Sequence, residues 1–257
     1  MNNRPIAPQS VSICKEKLHR TYLDIFGHRN YKRFAVIGHS RTGSNYLFVG
    51  LSTSNCVRMY HEVFAKRNRE MVGREFDLIF PMIFRKESRN IKAVGFKLFY
   101  EHLTSDEWEK FLLHKYIGII HLTRKNRLRT IVSLDIAFKT DEWSLSVNDK
   151  NKQLDEKRVF LDTSRLIDRL EQIRHYETFI RDRFKDRDVV EVVYEKLTIK
   201  PGDTFQHIGE YLGIDDIDLS KITLTKQNPE SLEQLIINFD EVYALLKNTK
   251  YAVYLTD

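Results

Sequence analysis

Residues 34–51, from Phe34-Ala-Val-Ile through Gly38-His-Ser-Arg-Thr-Gly43 to Ser44-Asn-Tyr-Leu-Phe-Val-Gly-Leu51, constrain this chain more than any other stretch. The apolar run Phe34–Ile37 reads as a buried strand, two glycines bound a turn, and an apolar helical pattern begins near Ser44. A strand, a tight turn and a helix N-terminus aim several backbone N–H groups at one point, which makes an anion site. The spacing Gly38-x4-Gly43 is that of the phosphate-cradling loop G-x-x-x-x-G-K-[ST]. Two decisive positions differ: Ser44 stands where the lysine would be, and Asn45 where the Mg²⁺-binding hydroxyl would be. The cation comes earlier, as Arg41. Such a loop is expected to hold a phosphate-like anion without the usual metal, and to be a poor nucleotide triphosphatase.

Length allows one large α/β domain or two small ones, since 257 residues with 42% hydrophobic content supply a substantial core. The formal charge is +6, but 36 acidic residues are interspersed among 42 basic ones, which favours an anionic ligand over a dedicated nucleic-acid binder. Cys14 and Cys56 lie apart, without metal-site spacing, as expected in a reducing compartment. The first residues lack the apolar segment of a secretion signal, and no run approaches the ~18 apolar residues of a membrane span. A cytoplasmic protein without stable membrane insertion is expected.

Strand-like and helix-like segments then alternate. A helical lead-in occupies residues 1–30, with its helix over Val11–Phe26, and residues 31–257 form the domain proper. Apolar strands are expected at Cys56–Tyr60, Lys92–Phe99, Tyr116–Leu122 and Asp188–Tyr194. Helices are expected over Ser44–Ser52, Ser105–His114, Asn126–Lys139, Thr163–Phe184, Asp203–Leu212 and Ser231–Leu246. The basic stretch 66–92 reads as helix mixed with surface loop, and residues 144–160 as a mobile polar loop. This order predicts a single α/β domain with a mostly parallel sheet flanked by helices, its loops at the functional edge.

A second basic site follows the strand ending at Leu122. Thr123-Arg124-Lys125-Asn126-Arg127-Leu128-Arg129 concentrates four cations where a helix begins, and Ser133 lies on that helix. Cations there oppose the helix dipole, which is easier to explain if an anion binds; a solvated basic helix start is the alternative. Arg124 with Ser133 makes a phosphate clamp. Two anion sites on adjacent strand ends imply a ligand with phosphate-type groups at both ends.

Arg41-Thr-Gly-Ser-Asn45 after a strand, together with Leu122-Thr-Arg124-x8-Ser133, resembles the sulfotransferases that use 3′-phosphoadenylyl sulfate (PAPS). The likeness is to the bacterial carbohydrate branch, the nodulation-factor sulfotransferase first and trehalose sulfotransferase more distantly. It extends to His61-Glu62-Val63-Phe64, Val94-Gly-Phe-Lys97, Val192-Val-Tyr-Glu-Lys-Leu197 and residues 224–242. Two departures stand out: cytosolic members carry lysine at the Arg41 position, and their arginine-to-serine spacing is one residue shorter. The carbohydrate branch commonly has arginine there, and the spacing matches the nodulation-factor branch; against the cytosolic spacing, Lys125 is a possible substitute for Arg124 in the clamp.

The resemblance implies a P-loop-like fold and transfer of a sulfuryl group to a carbohydrate or glycolipid hydroxyl, leaving adenosine 3′,5′-bisphosphate (PAP), with no metal. Arg41 and the N–H groups of Thr42, Gly43, Ser44, Asn45 and Tyr46 would hold the phosphosulfate; Arg124 and Ser133 the 3′-phosphate; Tyr194 the adenine. Lys226 and Gln227 would close over the 3′-phosphate end. A base must take the acceptor's proton. The residues alone favour His61, for its convenient pKa; the resemblance favours Glu62. Lys97, a cation within an apolar strand, needs a partner and is expected either to balance Glu62 or to contact the sulfuryl oxygens, an edge-strand lysine being the alternative. Segments 64–92 and 140–160 are expected to wall the acceptor. Against all this stands a non-enzymatic polyanion- or RNA-binding protein, drawing on the +6 charge and the basic cluster. A hydrolase elbow G-x-S-x-G fails at its last position, since Gly38-His-Ser40-Arg-Thr lacks the second glycine.

Overall fold

The computed structural model describes residues 9–72 and 75–256. Five strands form one sheet in the order β2-β3-β1-β4-β5: β1 Lys32–Gly38, β2 Val57–Tyr60, β3 Ala93–Phe99, β4 Ile117–Thr123 and β5 Val189–Val193. Every pairing is parallel. The near-continuous apolar runs follow from this, because helices cover both faces of β1, β3 and β4; all seven residues of β3 are buried.

The register sets the functional edge. Gly38 pairs with Phe99 on one side and Leu122 on the other, so β1, β3 and β4 end in one row. A Cβ at Gly38 would sit 2.4 Å from the Leu122 carbonyl oxygen, so the close approach of β1 to β4 requires glycine. Three connections leave that row: the 39–43 loop into helix α2 (Ser44–Ser52), a short turn at Tyr100–His102, and Arg124–Asn126 into α6 (Arg127–Thr140). Here the order of connections reverses about β1, the place where open parallel sheets form ligand crevices.

One face of the sheet packs Phe64, Phe76, Phe80, Phe96, Phe111 and Phe184; the other packs Leu47, Leu51, Ile120, Leu122, Phe205 and Ile208. The basic 66–92 stretch is more than surface. It holds α3 (Lys66–Val72) and α4 (Phe76–Ile83), and in α4 Phe76, Ile79, Phe80 and Ile83 recur at helical spacing and are buried. Helix α5 (Ser105–Leu113) starts at a Thr104 capping box, and α8 (Thr163–Arg183) at Asp162. Of the last helices, α9 (Tyr194–Ile199) follows β5 directly, and α10 (Pro201–Leu212) stops at Gly213 in the left-handed region.

Two expectations need correcting. The helix over 231–246 is broken into α11 (Leu232–Leu235) and α12 (Phe239–Leu246). Between them the Asn238 amide holds both the N–H and the carbonyl of Leu161, at 3.0 and 2.9 Å, and Ile236 bridges to Val159, so the backbone is drawn away from helix. Residues 144–160 are tied down too. Ser146 bridges to Leu224, a short helix α7 spans Leu154–Lys157, and Leu145 and Lys157 are buried.

The leading helix α1 covers Gln9–Phe26, and residues 1–8 of the expected lead-in lie outside the described residues. It is joined to the domain through Arg20 Nη2, which donates to the Lys86 carbonyl at 2.6 Å, and Lys86 Nζ, which donates to that of Asp24 at 2.8 Å. Among the described residues, no helix is long and apolar enough to cross a membrane, and no group of three acidic, His or Cys side chains could hold a metal ion.

Candidate active site

A cavity of about 970 Å³ opens at the row of strand ends. Its floor is the 39–43 loop. Arg41 and Gly43 both take left-handed conformations, with φ of 66° and 88°. Gly43 has no alternative, because a Cβ there would also lie 2.7 Å from the Tyr194 ring. The N-cap of α2 is Gly43, which offers the first-turn amides no side-chain cap, and Ser44, Asn45 and Tyr46 of that turn line the cavity.

Arg41 turns toward α6. Its Nε donates to Ser133 Oγ at 3.0 Å, its Nη1 to the Trp143 carbonyl at 2.7 Å, and its Nη2 to Gln227 Oε1. Arg124, 8% exposed, donates from Nη1 to the Arg41 carbonyl at 3.3 Å and stacks over the Tyr194 ring at 4.4 Å. Arg41, Arg124, Ser133 and Tyr194 thus form one cluster. Burial, and then the Arg124 guanidinium, push Arg41 down to about 10. A buried and a half-buried guanidinium side by side are a donor set suited to an anion of high charge, so these residues fit a bisphosphorylated ligand.

The rest of the basic stretch sorts by environment. Lys125 is exposed and does not line the cavity, whereas Arg124 does. Its amide, at 3.1 Å, and that of Asn126, at 3.4 Å, donate to the Glu195 carboxylate, which sets an acid at the start of α6 and offsets the cations there. Arg127 pairs with Glu177. With Arg124 and Arg129 buried, this is no exposed basic face of the kind a polyanion binder presents.

Across the α2 N-terminus lies a second cluster. β3 is an interior strand, and Lys97 on it is 1% exposed. Its Nζ lies 3.0 Å from Glu62 Oε1 and donates to Asn45 Oδ1 at 2.6 Å. Burial lowers the Lys97 pKa, and the Glu62 charge opposes that shift. Glu62 lines the cavity; His61 is exposed, stacks on Phe48 at 3.7 Å and is not among the lining residues. Burial and the Lys97 charge lower the His61 pKa. His102 is pushed down to about 4, chiefly by burial, and its Nδ1 accepts the Phe99 N–H at 3.2 Å.

Segments 64–92 and 140–160 both contribute walls, the first through Ala65, Arg67 and Asn68, the second through Trp143, Ser144 and Leu145. Lys226 and Gln227 line the cavity as well. Sequence reasoning missed Arg129 and Asn228. Arg129 and Ser133 stand four residues apart on α6, hence on one face, a signal available in the sequence. Asn228 lies in the 224–242 likeness beside Gln227, but its contacts could not be read there: its Nδ2 donates to Ser133 Oγ at 3.3 Å and its carbonyl accepts from Arg129 Nη1 at 3.4 Å, across 95 and 99 residues of chain.

The 39–43 loop after β1 and the inward arginines after β4 thus line one cavity at the edge of a parallel α/β sheet. Residues 37–239 match the family described as Stf0 sulphotransferase, and the chain belongs to that family of sulfotransferases. No curated protein sequence matches it. Among solved structures it is similar to a mouse sulfotransferase, SULT7A1, complexed with PAP, at 16% identity and TM-score 0.44 over 79% of this chain and 67% of that one. It is also similar to a sulfotransferase from Alicyclobacillus acidocaldarius, at 14% identity and TM-score 0.48 over 88% and 96%. A third likeness is to the sulfotransferase domain of the Synechococcus PCC 7002 olefin synthase, at 15% identity and TM-score 0.42 over 73% and 75%.

Proposed function

We propose that this sulfotransferase moves a sulfuryl group from PAPS to a hydroxyl of a carbohydrate or glycolipid, with Glu62 as the base. Residues 31–257 are the transferase domain, and 1–30 its lead-in. The observation that carries the reading is the pair of clusters flanking the α2 N-terminus: Arg41, Arg124 and Ser133 on one side, Lys97 and Glu62 on the other.

The chemistry follows from that placement. Arg124, Ser133 and Lys226 hold the 3′-phosphate, with Tyr194 against the adenine and Arg124. Arg41 and the amides of residues 42–46 hold the phosphosulfate and stabilise charge that develops on the leaving bisphosphate. The acceptor oxygen attacks sulfur in line; its proton passes to Glu62 Oε2 or Oε1, and the bond to the bridging oxygen breaks. Lys97 orients the carboxylate and offers its ammonium to the sulfuryl oxygens. A sulfuryl group bears less charge than a γ-phosphoryl, which is why arginine and amides suffice in this account. Glu62 is preferred to His61 because its carboxylate lines the cavity.

A carbohydrate or glycolipid acceptor rests on the branch resemblance, and a wall of Arg67, Asn68, Glu101 and Trp143 supplies the polar and aromatic groups that bind sugars. The test is transfer of labelled sulfate from PAPS to a panel of oligosaccharide, glycolipid, phenol and steroid acceptors. Transfer to the sugars supports the reading, and transfer confined to phenols or steroids contradicts the acceptor class.

A further inference from the structure

Lys157 is 2% exposed and takes no part in the chemistry above. It sits on the four-residue α7, in the segment whose polar sequence reads as loop. A buried ammonium is costly unless it is paired, and an apolar side chain would fill the same space without that cost. Its Nζ makes two contacts on one stretch of chain: it donates to the Gln227 carbonyl at 3.3 Å and pairs with the Glu230 carboxylate. Asn151 Nδ2 donates to the same Gln227 carbonyl at 2.9 Å.

That stretch, 226–230, has no helix or strand of its own. Its side chains nevertheless complete the arginine cluster. Gln227 Oε1 accepts from Arg41 Nη2, Gln227 Nε2 donates to the Glu142 carbonyl at 3.3 Å, and Asn228 Nδ2 donates to Ser133 Oγ at 3.3 Å. An irregular strap can hold two amides against two ligand-binding side chains only if its backbone is fixed from behind. Lys157 fixes it at both ends.

We propose that Lys157 and Glu230 are positioning residues for the donor site. The pair locks the 226–230 strap so that Gln227 and Asn228 keep Arg41 and Ser133 in anion-binding geometry. The inference rests on the reading of that cluster as the PAPS site.

The experiment is calorimetric titration of PAP into the wild type, Lys157→Met, Glu230→Gln and the double variant, with thermal unfolding of each. Glu230→Gln leaves the buried Lys157 ammonium alone and Lys157→Met leaves a half-buried carboxylate alone, so both single variants are expected to lose stability and affinity, Glu230→Gln the more. The double variant strands no charge and is expected to recover most of the melting temperature while binding PAP about tenfold more weakly than wild type. Wild-type affinity in the double variant overturns the proposal. Lys157→Leu with Glu230→Leu, which removes both contacts and strands no charge, serves if that double variant does not fold: weaker PAP binding at near wild-type melting temperature supports the lock, and unchanged affinity contradicts it. Failure of the wild type to bind PAP removes the donor reading, and the lock with it.

Discussion

Lys97 on β3 and Glu62, two residues beyond the end of β2, form an ion pair at 3.0 Å, the lysine fully enclosed and the carboxylate 34% exposed toward the cavity. The same ammonium reaches Asn45 in the first turn of α2 at 2.6 Å. One buried cation therefore links the carboxylate proposed as base to the helix N-terminus proposed to hold the phosphosulfate. Burial lowers the lysine's pKa, and the Glu62 charge opposes that shift.

Glu62→Gln keeps the shape and the hydrogen bond to Lys97 but cannot take a proton. Transfer is expected to fall by about 10²–10⁴-fold, the usual contribution of a general base, with PAP affinity little changed. Steady-state rates beside a calorimetric titration check this; wild-type turnover would reject Glu62 as the base.

Arg124→Ala is expected to act in the opposite sense, on binding. It removes a charge-assisted contact of roughly 1.5–3 kcal/mol, so PAP should bind about 10- to 150-fold more weakly. Lys125→Ala, at an exposed side chain away from the cavity, should change affinity little.

Gly43→Ala combines a left-handed φ of 88° with a clash at 2.7 Å against the Tyr194 ring. A loss of about 1–3 kcal/mol is expected from the backbone alone. Adding Tyr194→Ala should relieve the clash without relieving the backbone, so denaturant melts of the double variant should recover only part of the loss.

His102 gives a pH dependence. Its folded pKa is lowered from 6.5 to about 4, chiefly by burial, so between those values the unfolded chain binds the extra proton. Unfolding free energy should therefore fall as pH drops through that window, by at most about 3 kcal/mol from this residue. Denaturant titrations at pH 7 and pH 4 on wild type and His102→Gln test it; an equal pH loss in both would assign the effect elsewhere.

What the sequence made legible is what local patterning controls. The buried runs at 34–37, 93–99 and 117–122 announce a parallel sheet because both faces are covered. Gly38 and Gly43 mark a loop that needs close approach and positive φ. Lys97 is conspicuous among apolar neighbours. Contacts made across long stretches of chain leave no such mark. Nothing near Lys157 in sequence points to Glu230, and nothing near Asn238 shows that its amide will hold Leu161 and break a helix. The apolar face of α4 was readable at 76, 79, 80 and 83, but the surrounding lysines and arginines masked it.

The central claim is that the loop after β1 and the arginines after β4 make one site for a bisphosphorylated nucleotide. The most direct measurement is calorimetric titration with PAP, with and without a metal chelator, beside ATP with Mg²⁺ and a short RNA. The account predicts micromolar PAP binding that is unaffected by the chelator and much tighter than ATP. Binding of ATP or RNA alone, with no response to PAP, would contradict it.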